Sequence, residues 1–324
     1  MTDPVLRARA YLLRVAEPPA PALAALVAAE GPVAAAARVR SGRVAPEVAA
    51  ETDARRHADL VDDDFAQAAA VGARLLTPED EDWPSARLHP PGHTDAQTAA
   101  GSSAPPIALW IRGTRSLTAS LSSAVVVAGA RSSTVYGETV ASDFGYGLVA
   151  RGVTVVSNGA YGIGGAVLRG ALGGGGPAVV IAANGVDIAY PVGHTNLLSR
   201  VPDHGVLISE YPPGCVPSRS RFLTRADRLA LFSVGVVIVE AGLRSGSLRI
   251  AQTAHALGRA VMAVPGPITS TLSLGTHNLL RDRSAVSVAS VDDIIDSVGH
   301  CGGDEDVPSS HHDVGVGGDG LPCG

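Results

Sequence analysis

The chain has 324 residues, of which 46% are hydrophobic, 17% charged and 4% aromatic, a balance that suits one sizeable α/β domain with a smaller companion. No apolar run reaches the roughly 18 residues of a membrane span, which excludes a transmembrane role. The formal charge of −6 does not exclude an anionic partner: residues 107–300 hold 15 Arg against 11 Asp plus Glu, and the excess acid lies mainly in 51–82 and after Gly302.

The opening MTDPVLRARAYLLR lacks an apolar segment followed by a small-residue cleavage site, so the expected location is cytoplasmic. VLRARAYLLRVAE, PALAALVAAEG and GPVAAAARVRSG carry apolar residues at helical spacing, with Pro near a start and Gly at the stops. They predict a small helical domain over residues 1–75. From VDDDFAQAA to LLTPEDEDWP the chain reads as acidic and irregular, and HPPGHTDAQTAAGSSAPP as a linker, giving a joining segment over 76–106.

Beyond residue 106 the texture changes. IALWIRG, SAVVVAGA, VTVVS, AVVIAA, GVLISE, VGVVIVEA, AVMAVPG and AVSVA are short, continuous apolar runs, as expected of strands covered on both faces. Helical patterns such as ETVASDFGYGLVAR, AVLRGALG, RLALFS and SLRIAQTAHALG lie between them. The alternation predicts an α/β fold with an extended Rossmann-like, doubly wound, mostly parallel sheet over 107–298. The Gly-, Asp- and Ser-rich stretch 299–324 is expected to be disordered.

In such sheets ligands sit beyond the carboxyl ends of the strands. VTVVS runs into Asn158-Gly159-Ala160-Tyr161-Gly162, where few side chains separate a ligand from the backbone. The order G-x-x-G-x-G is not the dinucleotide fingerprint, and no acid follows about 20 positions on, which argues against nicotinamide or flavin. Gly129, Arg131, Ser132 and Ser133 follow another strand, and Arg244, Ser245, Gly246 and Ser247 a third. PSRSRFLTRADR adds Arg219, Arg221, Arg225 and Arg228. Converging on one sheet edge, these groups suit an anionic polymer. Tyr161, Tyr136, Tyr190 and Phe222 are candidate platforms for stacked bases, Tyr161 foremost because its neighbours are small.

Other chemistry is poorly supported. Cys215 has no neighbouring His for nucleophilic catalysis, and three cysteines make no disulfide framework. Glu210 and Glu240, each at a strand end, could orient loops or transfer protons. His300, Cys301, His311, His312 and Cys323 are irregularly spaced for a metal site. His194 and His277 read as caps of local turns.

The segments AGARSSTVYG, VVSNGAYGIGGAVLRGAL, ANGVDIAYPVGHTNLL, LISEYPPG, RFLTR, VVIVEAGLRSGSL and AVPGPITS with GTHNLLR together resemble the DprA/Smf family of DNA-processing proteins, in that family's order over about residues 105–285. The resemblance implies a protein that binds and protects single-stranded DNA, loads the RecA recombinase during natural transformation, and dimerises through its core. It implies no catalytic activity, cofactor or metal. Carried over, the DNA site comprises Gly129 and Arg131, then Ser157, Gly159 and Gly162, then Arg225, then Ser245, Gly246 and Ser247. Ser132, Tyr161, Arg228 and Arg244 join it from the residue reading. The sequence departs from the family pattern where Asn158 replaces a Gly, Gly164 an Asp, Leu168 a His and Val192 a basic residue. Ala226-Asp227 puts an acid where the family carries an Arg, and Arg249-Ile250 replaces a small polar pair; Arg228 and Arg249 are expected to offset the missing cations in part. Two rival readings are a phosphoribohydrolase-like enzyme and a paralogue that kept the fold but lost DNA.

Overall fold

The computed structural model describes residues 3–88 and 104–300. The expected linker therefore lies largely outside the described residues, as does the expected disordered tail from 301 onward.

Nine strands form one sheet in the order β1-β2-β6-β5-β4-β3-β7-β8-β9. They are β1 (Ala73–Leu76), β2 (Leu109–Arg112), β3 (Ala124–Ala128), β4 (Thr154–Ser157), β5 (Ala178–Ile181), β6 (Val206–Ser209), β7 (Gly235–Ile238), β8 (Ala260–Ala263) and β9 (Val286–Ser287). β3 to β9 pair in parallel, whereas β2 runs antiparallel to both β1 and β6. The extended, mostly parallel Rossmann-like sheet is thus as expected, and every predicted strand is present.

Alternation along each strand feeds two cores. Val125 and Val127 of β3 pack into one, while Ala124, Val126 and Ala128 pack into the other. The first face is covered partly by the helices Val135–Ala150 and Ile163–Gly173, and the second by Arg219–Leu231 and Ser247–Ala256. Being covered on both sides is what the unbroken Val-rich runs require.

Five helices precede the sheet: Pro4–Val15, Pro21–Glu30, Pro32–Ser41, Pro46–Thr52 and Val61–Ala70. The first four begin on Pro, which suits an N–H that has no partner in a first turn. Tyr11, Leu12 and Leu23 are buried in the same core as Trp110 of β2, so the helical unit is seated against the sheet. Arg221 reinforces this with bonds from Nε and Nη2 to the Glu17 carboxylate at 2.6 and 3.0 Å.

Two segments differ from the sequence expectation. VDDDFAQAA, expected to be irregular, is the helix Val61–Ala70, with Asp62, Asp63 and Asp64 in its first turn, where acids favour the helix dipole. Ala73–Leu76, assigned across the end of the helical domain and the acidic segment, is the sheet's edge strand. The helix Val291–His300, with no counterpart among the expected helices, closes the described chain.

The topology fixes where a ligand can sit. From β3 the chain steps outward through β4, β5 and β6, then returns to pair β7 with the opposite side of β3. The reversal opens a crevice beyond the carboxyl ends of β3, β4 and β7.

Candidate functional site

That crevice is a cleft of about 620 Å³. Gly129, Arg131 and Ser132 after β3, Asn158, Ala160 and Tyr161 after β4, and Arg244 to Ser247 after β7 all border it. Tyr190, Phe222 and Arg225 border it as well.

Glycines let the loops approach so closely. Gly162 holds φ +69°, and a Cβ there would stand 2.4 Å from the Ala130 carbonyl oxygen and 2.6 Å from that of Arg131. A Cβ on Gly129 would meet Ile163 Cγ1 at 2.6 Å and the Glu240 carbonyl oxygen at 2.7 Å. The β4 loop can therefore press against the β3 loop only while both positions lack side chains. The run of glycines after β4 serves this contact as well as the cleft.

The site's electrostatics come from arginines. Among the described residues no carboxylate pairs with Arg131, Arg225 or Arg244. Arg131 and Arg244 are exposed. Arg225 donates from Nη1 to the Asn158 carbonyl at 3.3 Å and lies 5.0 Å from the Phe222 ring centre. Burial pulls the Arg225 guanidinium down to about 10; Arg131 pulls the same way, and Tyr190 and Tyr211 oppose. It stays charged at neutral pH, a half-buried cation with no acid paired to it among the described residues. The helix Ser247–Ala256 also begins at the cleft, where Ser245 Oγ accepts from Ser247 N at 3.4 Å.

Flat side chains border the same space. Tyr190 and Phe222 stack with ring centres 5.7 Å apart and planes 29° from parallel. Tyr161 is 48% exposed, braced edge-on by His194 at 4.8 Å, and its hydroxyl accepts from Gly193 N at 3.2 Å. Tyr136 instead donates to the Pro265 carbonyl at 2.9 Å and does not line the cleft.

Of the thirteen predicted site residues, Gly129, Arg131, Ser132, Tyr161, Arg225, Arg244, Ser245, Gly246 and Ser247 line the cleft. Four do not. Ser157 is buried, donating to the Gly164 carbonyl at 2.8 Å and accepting from Gly159 N at 3.1 Å. Gly159 and Gly162 shape the loop from behind, the Gly159 carbonyl receiving His194 Nδ1 at 2.8 Å.

Arg228 requires a correction. It is 3% exposed, with Nε 2.7 Å from Glu210 Oε1 and Nη1 donating to the Ala104 carbonyl at 2.7 Å. A guanidinium so engaged is unavailable to a ligand. Arg249 likewise is held by Asp227 and does not line the cleft, so neither residue offsets the missing cations there. The cluster in PSRSRFLTRADR divides: Arg221 and Arg228 fasten the fold, and Arg225 alone of the four faces the cleft.

The ambiguous acids are also resolved. Glu240 accepts from Thr134 N at 2.9 Å and Thr134 Oγ1 at 2.6 Å, holding the start of the helix Val135–Ala150. Glu210 is spent on Arg228. His277 Nε2 lies 2.9 Å from the Gly266 carbonyl, another turn contact. No cluster able to hold a metal ion occurs among the described residues, and no helix there is long and apolar enough to cross a membrane. Pro191, Gly242, Ile250 and Leu272 also line the cleft; the first three lie in or beside the quoted segments without having been singled out as site residues, and Leu272 lies in none of them.

A doubly wound sheet whose switch-point crevice is lined by guanidiniums and stacked rings defines a Rossmann-like protein with a cation-lined cleft. Residues 74–299 match the family model for DNA recombination-mediator protein A, and the chain belongs to that family. A DprA-named protein of Mycobacterium tuberculosis is 48% identical over 327 residues, covering 97% of this chain and 81% of its own. Escherichia coli Protein Smf is 36% identical over 60% of this chain and 51% of its own. Among solved structures, DNA processing protein A of Streptococcus pneumoniae superposes with a TM-score of 0.64 at 26% identity, over 86% of this chain and 87% of that one. The Helicobacter pylori protein, described for its single-stranded DNA binding mode, shares the fold with a TM-score of 0.58 at 22% identity, over 70% of this chain and 96% of its own.

Proposed function

We propose that the chain binds single-stranded DNA in the switch-point cleft, without catalysing a reaction on it. The observation carrying this is the convergence of Arg131, Arg225 and Arg244, none with a carboxylate partner among the described residues, around a space bordered by Tyr161 and the Tyr190–Phe222 stack. Cations track a sugar–phosphate backbone, and ring faces accept unpaired bases of any sequence. Base pairs in a duplex keep their faces stacked on one another, so the aromatic contribution favours a single strand. Glu210 and Glu240 are both occupied by protein donors, which favours binding over a hydrolytic role for the site.

On this reading the protein is cytoplasmic, shields incoming strands during natural transformation and hands them to RecA, with two copies joined through the sheet domain. The relatives named for DNA processing support that assignment. In gel-shift titrations with an oligothymidylate, Arg131→Ala combined with Arg244→Ala weakens binding by about a hundredfold or more, since each removes a charged hydrogen bond of roughly 1.5–3 kcal/mol. Unchanged affinity would remove the cleft as the site. Loading is tested by whether the protein relieves the block that single-strand-binding protein places on RecA filament growth.

A further inference from the structure

Two departures from the family pattern, the acid at position 227 and the cation at position 249, meet in space. Asp227 is 2% exposed and sits on the helix Arg219–Leu231, two residues after Arg225. Its Oδ1 accepts from Arg249 Nε at 2.8 Å and from Thr253 Oγ1 at 2.8 Å, and its Oδ2 accepts from Arg249 Nη2 at 2.7 Å. Arg249 and Thr253 are one turn apart on the helix Ser247–Ala256, directly after the loop that carries Arg244 and Ser245. The carboxylate thus joins the two helices through three bonds, two of them a fork on one guanidinium.

These helices pack directly against each other on one face of the sheet, and both border the cleft. Ala226 and Leu229 line it from the first, Ser247 and Ile250 from the second. The placement of Arg225 and Phe222 relative to Arg244 to Ser247 therefore depends on how the two helices are fastened to each other. Asp227 and Arg249 do not line the cleft. A carboxylate so near a phosphate-binding wall would repel DNA if its charge were free, but here it is neutralised by Arg249.

Resting on the single-strand reading, we propose that Asp227, Arg249 and Thr253 form a clamp that fixes the two helices relative to each other and so the placement of the cleft's binding groups, so that an acid promotes the binding of a polyanion. All three are positioning residues. The sign of one substitution separates this from a simple charge effect. Removing an acid beside a phosphate site strengthens DNA binding if charge alone matters; if the clamp matters, it weakens binding.

The test uses the full chain and a labelled oligothymidylate, with affinity measured by fluorescence anisotropy over a range of salt. Asp227→Asn is expected to weaken binding about three- to tenfold, and Arg249→Gln by a similar factor. The double variant is expected to be no weaker than either single one, because both break the same connection. The slope of log affinity against log salt stays at the parent value throughout, since every cation facing a phosphate remains in place. Arg249→Lys, which keeps the charge without the fork, is expected to restore affinity only in part. Circular dichroism checks the fold; should Asp227→Asn fail to fold, the Arg249 variants, altered on the clamp's half-exposed side, carry the test. Tighter or unchanged binding by Asp227→Asn overturns the clamp, as does a slope smaller by about 0.7 in Arg249→Gln, the mark of a cation bound directly to phosphate. A parent chain that binds no oligothymidylate overturns the clamp and the single-strand reading together, whereas a binding parent with a tighter Asp227→Asn overturns the clamp alone.

Discussion

A Cβ placed on Gly164 would stand 2.3 Å from Asn158 Oδ1, the atom that accepts from Ala160 N at 2.9 Å. Asn158 and Gly164 are both departures from the family pattern, and they fit as a pair: the side chain gained at one position fills the space vacated at the other. Gly164→Asp alone should destabilise the fold by about 1–3 kcal/mol through overpacking. Asn158→Gly with Gly164→Asp should recover most of that loss. Urea midpoints of the three proteins check this; additive losses would contradict the pairing. At this scale the sequence was legible for cleft residues on strand-end loops, such as Arg131, Arg244 and Ser245. Arg228 misled because a helix presents successive arginines to different neighbours: Arg225 reaches the cleft while Arg228 turns to Glu210. Spacing along the chain could not say which arginine would meet an acid 18 positions away.

Elements were legible where a pattern had one interpretation. The Val-rich runs became strands because their buried faces need β-branched packing on both sides. Ala73–Leu76 escaped because an edge strand of four residues, half of it unburied, has no such run. Val61–Ala70 escaped because its three acids obscured an apolar face of Val61 and Ala68, with Phe65 set edge-on to Trp110 at 5.6 Å. The attachment of the helical unit makes its own prediction. Burial pushes the Glu17 carboxyl up, but Arg221 and Arg55 outweigh it, leaving Glu17 below its ordinary value of 4.5. A depressed carboxylate adds stability that is present above that ordinary value and lost as pH falls through the lower folded value. Asp64 runs the other way, because burial outweighs its bond with Arg14 and holds it above the usual range. Comparing Glu17→Gln with the parent isolates the first effect. The variant should be less stable by at most about 1 kcal/mol at pH 7, after screening of a part-exposed network. The difference should vanish as pH drops well below 4.5. A difference that persists in acid would mean that Glu17 acts by packing alone.

For the molecule as a whole, the net charge of −6 conceals a separation. Much of the acid precedes the sheet domain, and within that domain three arginines with no acidic partner among the described residues, Arg131, Arg225 and Arg244, meet at one crevice. Topology produces this arrangement: three loops distant in sequence are neighbours only because β3 lies between β4 and β7. Strand–helix alternation was enough to anticipate that convergence, whereas the clamp between Asp227 and Arg249 needed the packing of two helices, which no motif encodes. Anisotropy titrations of oligothymidylate and of a duplex of equal length, across a salt series, test the single-strand cleft most directly. The account predicts preference for the single strand and a steep fall in affinity with salt. The salt slope should shrink by about 2 when Arg131, Arg225 and Arg244 are all replaced by Gln, at about 0.7 for each phosphate no longer neutralised. Equal affinity for the duplex, or a slope untouched by the triple replacement, would contradict it.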